Sequence, residues 1–272
     1  MRRVGGLALM LVLLAGCGGL VSGCGGARAA SSSGAAARSV ASRSAARSQV
    51  AARPPSRILS LSRGANRPLD TSVWYPAGAG RHPVVLFSHG LGGLAAQFTP
   101  IISTWVAGGF AVVAPAYPHT NGKVKVNSAD VRNQPADAFF VLRSLAGDPR
   151  LDLDHVVPVG FSAGATTTLG MLRRGRASGI VAAVSVAGRR PSTAFGGAPV
   201  PVLFVHGDQD PTVPIDAGRA AYRALPGPKT FVVVPGGKHG DYLNPGNPAY
   251  PRISGMILEF LRRSLGFSPR VA

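Results

Sequence analysis

Eight short apolar runs, each stopped by glycine, proline or a polar cluster, recur between Arg57 and Gly266 with amphipathic stretches among them. The runs are Ile58–Leu61, Thr71–Tyr75, Val84–Phe87, Phe110–Ala114, Val156–Phe161, Ile180–Val186, Val200–Val205 and Thr230–Val234. Runs of this length bounded by turn formers predict strands, and the continuous ones predict strands buried on both faces. Helical spacing is present in Asp137–Leu145 (closed by Gly147 and Pro149), in the "AGATTTLGMLRRG" that follows Ser162, in Asp216–Leu225 and in Arg252–Leu265. Such alternation predicts an α/β protein, a mostly parallel central sheet with helices on both faces. The length suits one large α/β domain or two small ones, and a 46% hydrophobic share is enough for a sizeable core.

In such sheets chemistry gathers at the carboxyl ends of the strands. Those ends carry Ser88-His89-Gly90-Leu91-Gly92-Gly93, Gly160-Phe161-Ser162-Ala163-Gly164 and His206-Gly207-Asp208-Gln209-Asp210. Just beyond the last run stands Gly236-Gly237-Lys238-His239-Gly240. The second cluster is a G-x-S-x-G pentapeptide. With 36 Gly and 23 Ser in the chain, chance supplies about 0.4 of these, so alone it proves little. Its company matters more. A serine, then an aspartate, then a histidine follow the nucleophile–acid–base order of one type of triad, all delivered to one rim. Pro158, inside the run leading to Ser162, removes a ladder donor and predicts a bulge or a strand that begins at Val159.

On these residues the chain resembles the α/β-hydrolase family, and within it the compact esterase branch of dienelactone hydrolases and platelet-activating-factor acetylhydrolase-like enzymes. The resemblance is carried by "VWYPAGAGRHPVVLFSHGLGG", "GFSAG", "HGDQDPTVP" and "GGKHGDY", and it covers Arg57 to about Gly266. It implies an α/β-hydrolase fold with a minimal lid, no cofactor and no metal. Ser162 is then the nucleophile, His239 its base and Asp210 the acid that orients the imidazole. Gly160 and Gly164 permit the sharp strand-to-helix turn at the nucleophile, and the backbone N–H groups of Ala163 and Leu91 form the oxyanion hole.

Other residues compete for these roles. Asp208 lies two residues from Asp210 on the same rim and is the rival acid. Asp241 sits too near His239 in sequence to reach round its ring easily. His89 and His206 precede glycines at strand ends and read as loop-shaping residues. His119 belongs to a solvated loop or a pocket wall, and His82 and His155 to the surface or a strand edge. No HxH or HExxH spacing joins the six histidines, which argues against a metal site. Trp74 and Trp105 read as core or pocket wall.

The first 56 residues differ in kind. Met1-Arg2-Arg3 and the apolar Val4–Leu14 have the form of an export signal, too short to span a bilayer. Leu14-Ala15-Gly16-Cys17 resembles the lipobox of bacterial lipoproteins, with Val21-Ser22-Gly23-Cys24 as the alternative. This implies an exported bacterial protein, a cell-envelope lipoprotein acylated at Cys17 or Cys24; the alternative is a plain secretory signal with incidental cysteines and a secreted protein. Both cysteines lie in this segment, so the rest of the chain forms no disulfide. Residues 25–56, rich in Ala, Ser and Arg, predict a disordered tether, and 57–272 the catalytic domain. Seven of the 29 Lys and Arg stand in residues 1–56 without an acid, which leaves 22 basic against 11 acidic side chains in the remainder. The cations are scattered, with no basic helix or RNP-type motif to read bases, so no nucleic-acid partner is expected and anionic lipid headgroups are the better match.

Residues 187–199 leave no room for a helical cap, and the polar stretch His119–Gln134 is the expected mobile rim. A near-lidless site suits short-chain or accessible carboxylic esters, small-molecule or lipid. The alternatives are a polyester- or cutin-type hydrolase or a phospholipid deacetylase on the same residues, and, in another class, a non-catalytic surface lipoprotein.

Overall fold

The computed structural model describes residues 51–172, 179–196 and 199–266. The apolar leader, Cys17, Cys24 and the tether before residue 51 lie outside the described residues. The strands are β1 (Arg57–Ser62), β2 (Pro68–Trp74), β3 (His82–Ser88), β4 (Ala111–Pro115), β5 (Leu151–Phe161), β6 (Ala183–Val186), β7 (Val202–Gly207) and β8 (Lys229–Val234). They form one sheet in the order β1-β2-β4-β3-β5-β6-β7-β8. β1 and β2 pair antiparallel, as do β2 and β4; the other neighbours are parallel.

Alternate residues of each continuous run enter opposite layers, as the pleat requires. Val85 and Phe87 of β3, Val157 and Val159 of β5, and Leu203 and Val205 of β7 pack with helices α1 (Thr99–Ala107) and α5 (Tyr250–Arg263). Val84, Leu86 and Phe204 pack on the other side with α2 (Gln134–Ser144), α3 (Ala163–Gly170) and α4 (Ile215–Ala224). Among the described residues no helix is long and apolar enough to cross a membrane.

Three boundaries move from their sequence positions. Ile180 leaves the ladder and keeps only an isolated bridge to Val156, so β6 starts at Ala183. α2 and α5 begin earlier than their apolar periodicity, each with proline in its first turn, where a missing N–H has no helical acceptor to lose. The edge of the domain also moves. Residues of the expected tether are tied down: Arg53 N donates to Ser103 Oγ (2.8 Å), Trp74 Nε1 to Arg53 O (3.0 Å) and Ser56 N to Val73 O (2.8 Å).

Pro158 has a simple account. β5 runs unbroken through it, with Pro158 opposite Leu86 of β3. Backbone groups of a strand alternate between its two neighbours. Val156 bonds Gly179 and Val181 on the β6 side, and Ser162 bonds Val186 there. Pro158 belongs to the same alternate set, so its missing N–H faces residues 181–182, where the ladder to β6 is interrupted. No hydrogen bond to β3 is lost. The irregularity lies upstream instead, where the register shifts between Pro83 and Val84.

Candidate active site

β5 ends by turning abruptly into α3, and Ser162 is the residue at the turn, with φ 55° and ψ −116°. Its neighbours must be small. A Cβ on Gly160 would lie 2.1 Å from Gly164 O, and one on Gly164 would lie 2.0 Å from Ser88 O. The turn is fixed from both sides, since Ser162 N donates to Val186 O (2.9 Å) and Thr166 N to Ser162 O (3.1 Å). This geometry lifts the hydroxyl above the sheet rim.

Two other strand ends meet it there. His239, on the loop after β8, has Nε2 2.9 Å from Ser162 Oγ and Nδ1 2.8 Å from Asp210 Oδ2. A carboxylate only accepts, so Nδ1 carries the hydrogen and Nε2 presents its lone pair to the serine O–H. Asp210 follows β7 and is held by its own turn: Oδ1 accepts from Thr212 N (2.9 Å) and Val213 N (2.8 Å). Burial pushes the Asp210 carboxyl up, but the hydrogen bonds from His239, Val213 and Thr212 outweigh it and hold the group below its ordinary value. Beside it, buried His206 donates Nε2–H to Val213 O (2.8 Å) and lies 3.6 Å from Asp210 Oδ2. Burial lowers the His206 pKa, so this second imidazole is neutral. Phe161 braces the far side of His239, ring to ring at 4.9 Å, and itself packs on Phe98 at 5.5 Å. A Cβ on Gly240 would strike Phe161 at 2.2 Å, so the loop carrying His239 can lie this close only with glycine there.

The loop after β3 approaches from above. A Cβ on Gly90 would stand 3.4 Å from Ser162 Cβ. The loop is shaped by Gly93 N donating to Gly90 O (2.9 Å) and by buried His89, whose Nδ1–H donates to Gly90 O (2.7 Å) while Nε2 accepts from Tyr117 N (3.2 Å). Ala163, first residue of α3, has an amide that no helical carbonyl satisfies. The Leu91 amide is likewise without a protein acceptor among the described residues.

The remaining sequence candidates sit elsewhere. Asp208 Oδ1 accepts from Gly236 N (2.7 Å) and Asp241 Oδ1 from Lys238 N (3.0 Å), so both shape the loop that carries His239 rather than meeting its ring. His119 is exposed, with Nε2 3.1 Å from Asn66 O, and His155 pairs with Asp152 at the surface. Trp74 and Trp105 are core. The stretch from His119 to Gln134 is braced, contrary to the mobile rim expected of it. Gly92 N donates to Thr120 O (2.8 Å), Gly122 N to Gly93 O (3.1 Å) and Gln134 Nε2 to Thr120 Oγ1 (2.7 Å). Sequence reasoning passed over Phe161, Phe98 and the amides of Thr212 and Val213. The last two had a signal, because Asp-Pro-Thr-Val favours a turn in which an aspartate side chain caps amides two and three residues on. A cavity of about 340 Å³ flanks this region, lined by Thr166 and Gly170 of α3, by Val131, Arg132 and Pro135, and by Pro191.

A nearly all-parallel sheet with a serine on a strained strand-to-helix turn and a histidine and an aspartate at later strand ends defines the α/β-hydrolase fold, and this chain has it. Residues 180–264 match the model of a family described as TAP-like protein. NocK of Nocardia uniformis subsp. tsuyamanensis, named as a candidate esterase, is 34% identical over 158 residues, 54% of this chain. The match spans 46% of that relative, about half its length. Among solved structures, Thermogutta terrifontis esterase 2 with butyrate bound overlays 80% of this chain and 97% of its own at a TM-score of 0.65 and 21% identity. A puromycin-hydrolysing peptidase of Mycobacterium tuberculosis also reaches 0.65 at 21% identity, with 80% of this chain covering 40% of that one.

Proposed function

We propose that the chain is a serine hydrolase of the α/β-hydrolase family that cleaves carboxylic esters through an acyl-enzyme, with Ser162, His239 and Asp210 as its catalytic residues. The observation that carries this reading is the unbroken relay from Ser162 Oγ through His239 to Asp210, at 2.9 and 2.8 Å. As Ser162 Oγ bonds to the ester carbonyl carbon, its proton passes to His239 Nε2. Asp210 stays ionised and stabilises the imidazolium. The negative charge that develops on the carbonyl oxygen is received by the Leu91 and Ala163 amides, the latter at the positive end of α3; one such donor is worth about 10²–10³ in rate. Collapse expels the alcohol, which takes the proton from Nε2. Water then attacks the acyl-serine by the same path in reverse and releases the acid.

Short-chain or accessible esters are the proposed substrates, within the compact esterase branch. The likeness to NocK supports ester cleavage, and the irregular chain at residues 187–196, which carries no helical cap, supports accessible substrates. We place the enzyme at the cell envelope, tethered through Cys17 or, alternatively, Cys24. A fluorophosphonate should label the wild type at Ser162 and leave Ser162→Ala unlabelled; a non-catalytic lipoprotein would label in neither. On p-nitrophenyl esters kcat/KM should peak at short acyl chains, and a maximum at long chains contradicts the substrate assignment.

A further inference from the structure

Among the described residues four large apolar side chains stand well exposed: Ile58, Leu91, Val124 and Val126. Three of these share one rim. Leu91 is 45% exposed, Val124 46% and Val126 42%. Leu91 belongs to the loop over Ser162. The two valines belong to the tip Gly122-Lys123-Val124-Lys125-Val126-Asn127, beyond β4. The two loops are one unit, for Gly122 N donates to Gly93 O at 3.1 Å and Val126 Cγ2 lies 3.7 Å from the place of a Cβ on Gly92. Asn127 N closes the neck of the tip on His119 O at 2.6 Å, and Lys123 N donates to Asn121 Oδ1 at 2.8 Å. Apolar groups are thus held in water on a braced scaffold, a sign of an interaction surface.

Charge says what surface. Lys123 and Lys125 alternate with the valines, and exposed Arg189 and Arg190 follow β6 on the same rim. Of the acids nearby, Asp70 reaches Lys123 at 3.8 Å with both exposed, while Asp208 and Asp241 belong to the loops around His239, where they accept backbone amides. Short apolar side chains set among cations suit a lipid interface, where the first enter the headgroup boundary and the second meet phosphates.

We propose that the tip 122–127 together with Leu91 docks on an anionic bilayer surface and brings the mouth of the Ser162 site against it. The test uses the full chain carrying Val124→Trp or Ile58→Trp. Ile58 is more exposed still, 66% against 46% for Val124, but lies on edge strand β1, and native Trp74 and Trp105 are buried in the core. With phosphatidylglycerol vesicles the tryptophan at 124 should shift to the blue and be quenched by brominated acyl chains, whereas that at 58 should not. Lys123→Gln with Lys125→Gln in the Val124→Trp background should weaken the titration roughly thirty-fold, as expected for two cations at such a surface. Equal quenching at both positions, no quenching at 124, or equal quenching with phosphatidylcholine overturns the proposal. So does a blue shift at 124 that follows protein concentration without vesicles. No turnover is needed for this readout, so its failure leaves ester cleavage standing, and an unlabelled Ser162 leaves the docking surface standing.

Discussion

Ser162 holds a backbone conformation that costs a non-glycine residue about 1–3 kcal/mol, and it is kept there by its bond to Val186 O and by the contact between Gly164 and the end of β3. Gly164→Ala forces a Cβ against two backbone oxygens, Ser88 O at 2.0 Å and His89 O at 2.5 Å. Neither can swing away as a side chain can. We expect a loss of about 1–3 kcal/mol in urea unfolding together with slower fluorophosphonate labelling. The acid is a matter of direction. Asp210→Asn should lower kcat about 10⁴-fold, because an amide cannot hold the same imidazole tautomer, while Asp208→Ala should cost far less. Full activity in an Asp210→Ala protein would transfer the role to Asp208. In the chain the two carboxylates lie two residues apart at one strand end; the resemblance prefers Asp210, and the Asx turn at Pro211 is the local signal for which of them is fixed.

At the scale of elements, strands were easier to read than helices. The buried runs announce themselves, whereas α1 does not: Pro-Ile-Ile-Ser-Thr-Trp-Val is rich in β-branched residues and has little helical signature of its own. It is helical because Ile101, Ile102 and Trp105 fill the layer shared with Ile253 and Ile257 of α5. Charges tie another junction. Arg67, on the turn between β1 and β2, donates to Asp137 Oδ1 of α2 at 2.9 Å and to both oxygens of Asp130, at 2.9 and 2.8 Å. Asp137 has no exposed side-chain surface. Arg67→Ala should therefore destabilise the protein by about 3 kcal/mol, near the low end for a broken buried pair because Arg63 still reaches Asp137 at 2.7 Å. Acid should expose the same junction. Burial pushes the Asp130 carboxyl up, but bonds from Arg67 and Asn133 prevail and hold it below its ordinary value. Its contribution is present above the unfolded carboxyl value near 4 and is lost as pH falls through the lower folded value. Between pH 5 and 2, Tm should fall less steeply in Asp130→Asn than in the wild type.

For the whole molecule the informative boundary is the N-terminal one. Composition places the tether's end at residue 56, yet four hydrogen bonds, donated by Arg53 N, Trp74 Nε1, Ser56 N and Tyr75 N, fasten residues 53 and 56 to α1 and the end of β2. A protein begun at Ser48 should exceed one begun at Arg57 by about 3 kcal/mol, some 6–12 °C in Tm. Equal melting temperatures would show those bonds to be marginal. The linear chain by itself determined the class of sheet, the rim on which polar residues collect and their order along it, since apolar periodicity and glycine stops are local properties that burial imposes on each segment. Only the tertiary structure decided which carboxylate faces His239, that Phe161 braces its ring, and that the stretch after His119 is pinned to the loop over Ser162. Those outcomes depend on side-chain directions set between groups 29 and 77 residues apart, and no local pattern encodes such directions.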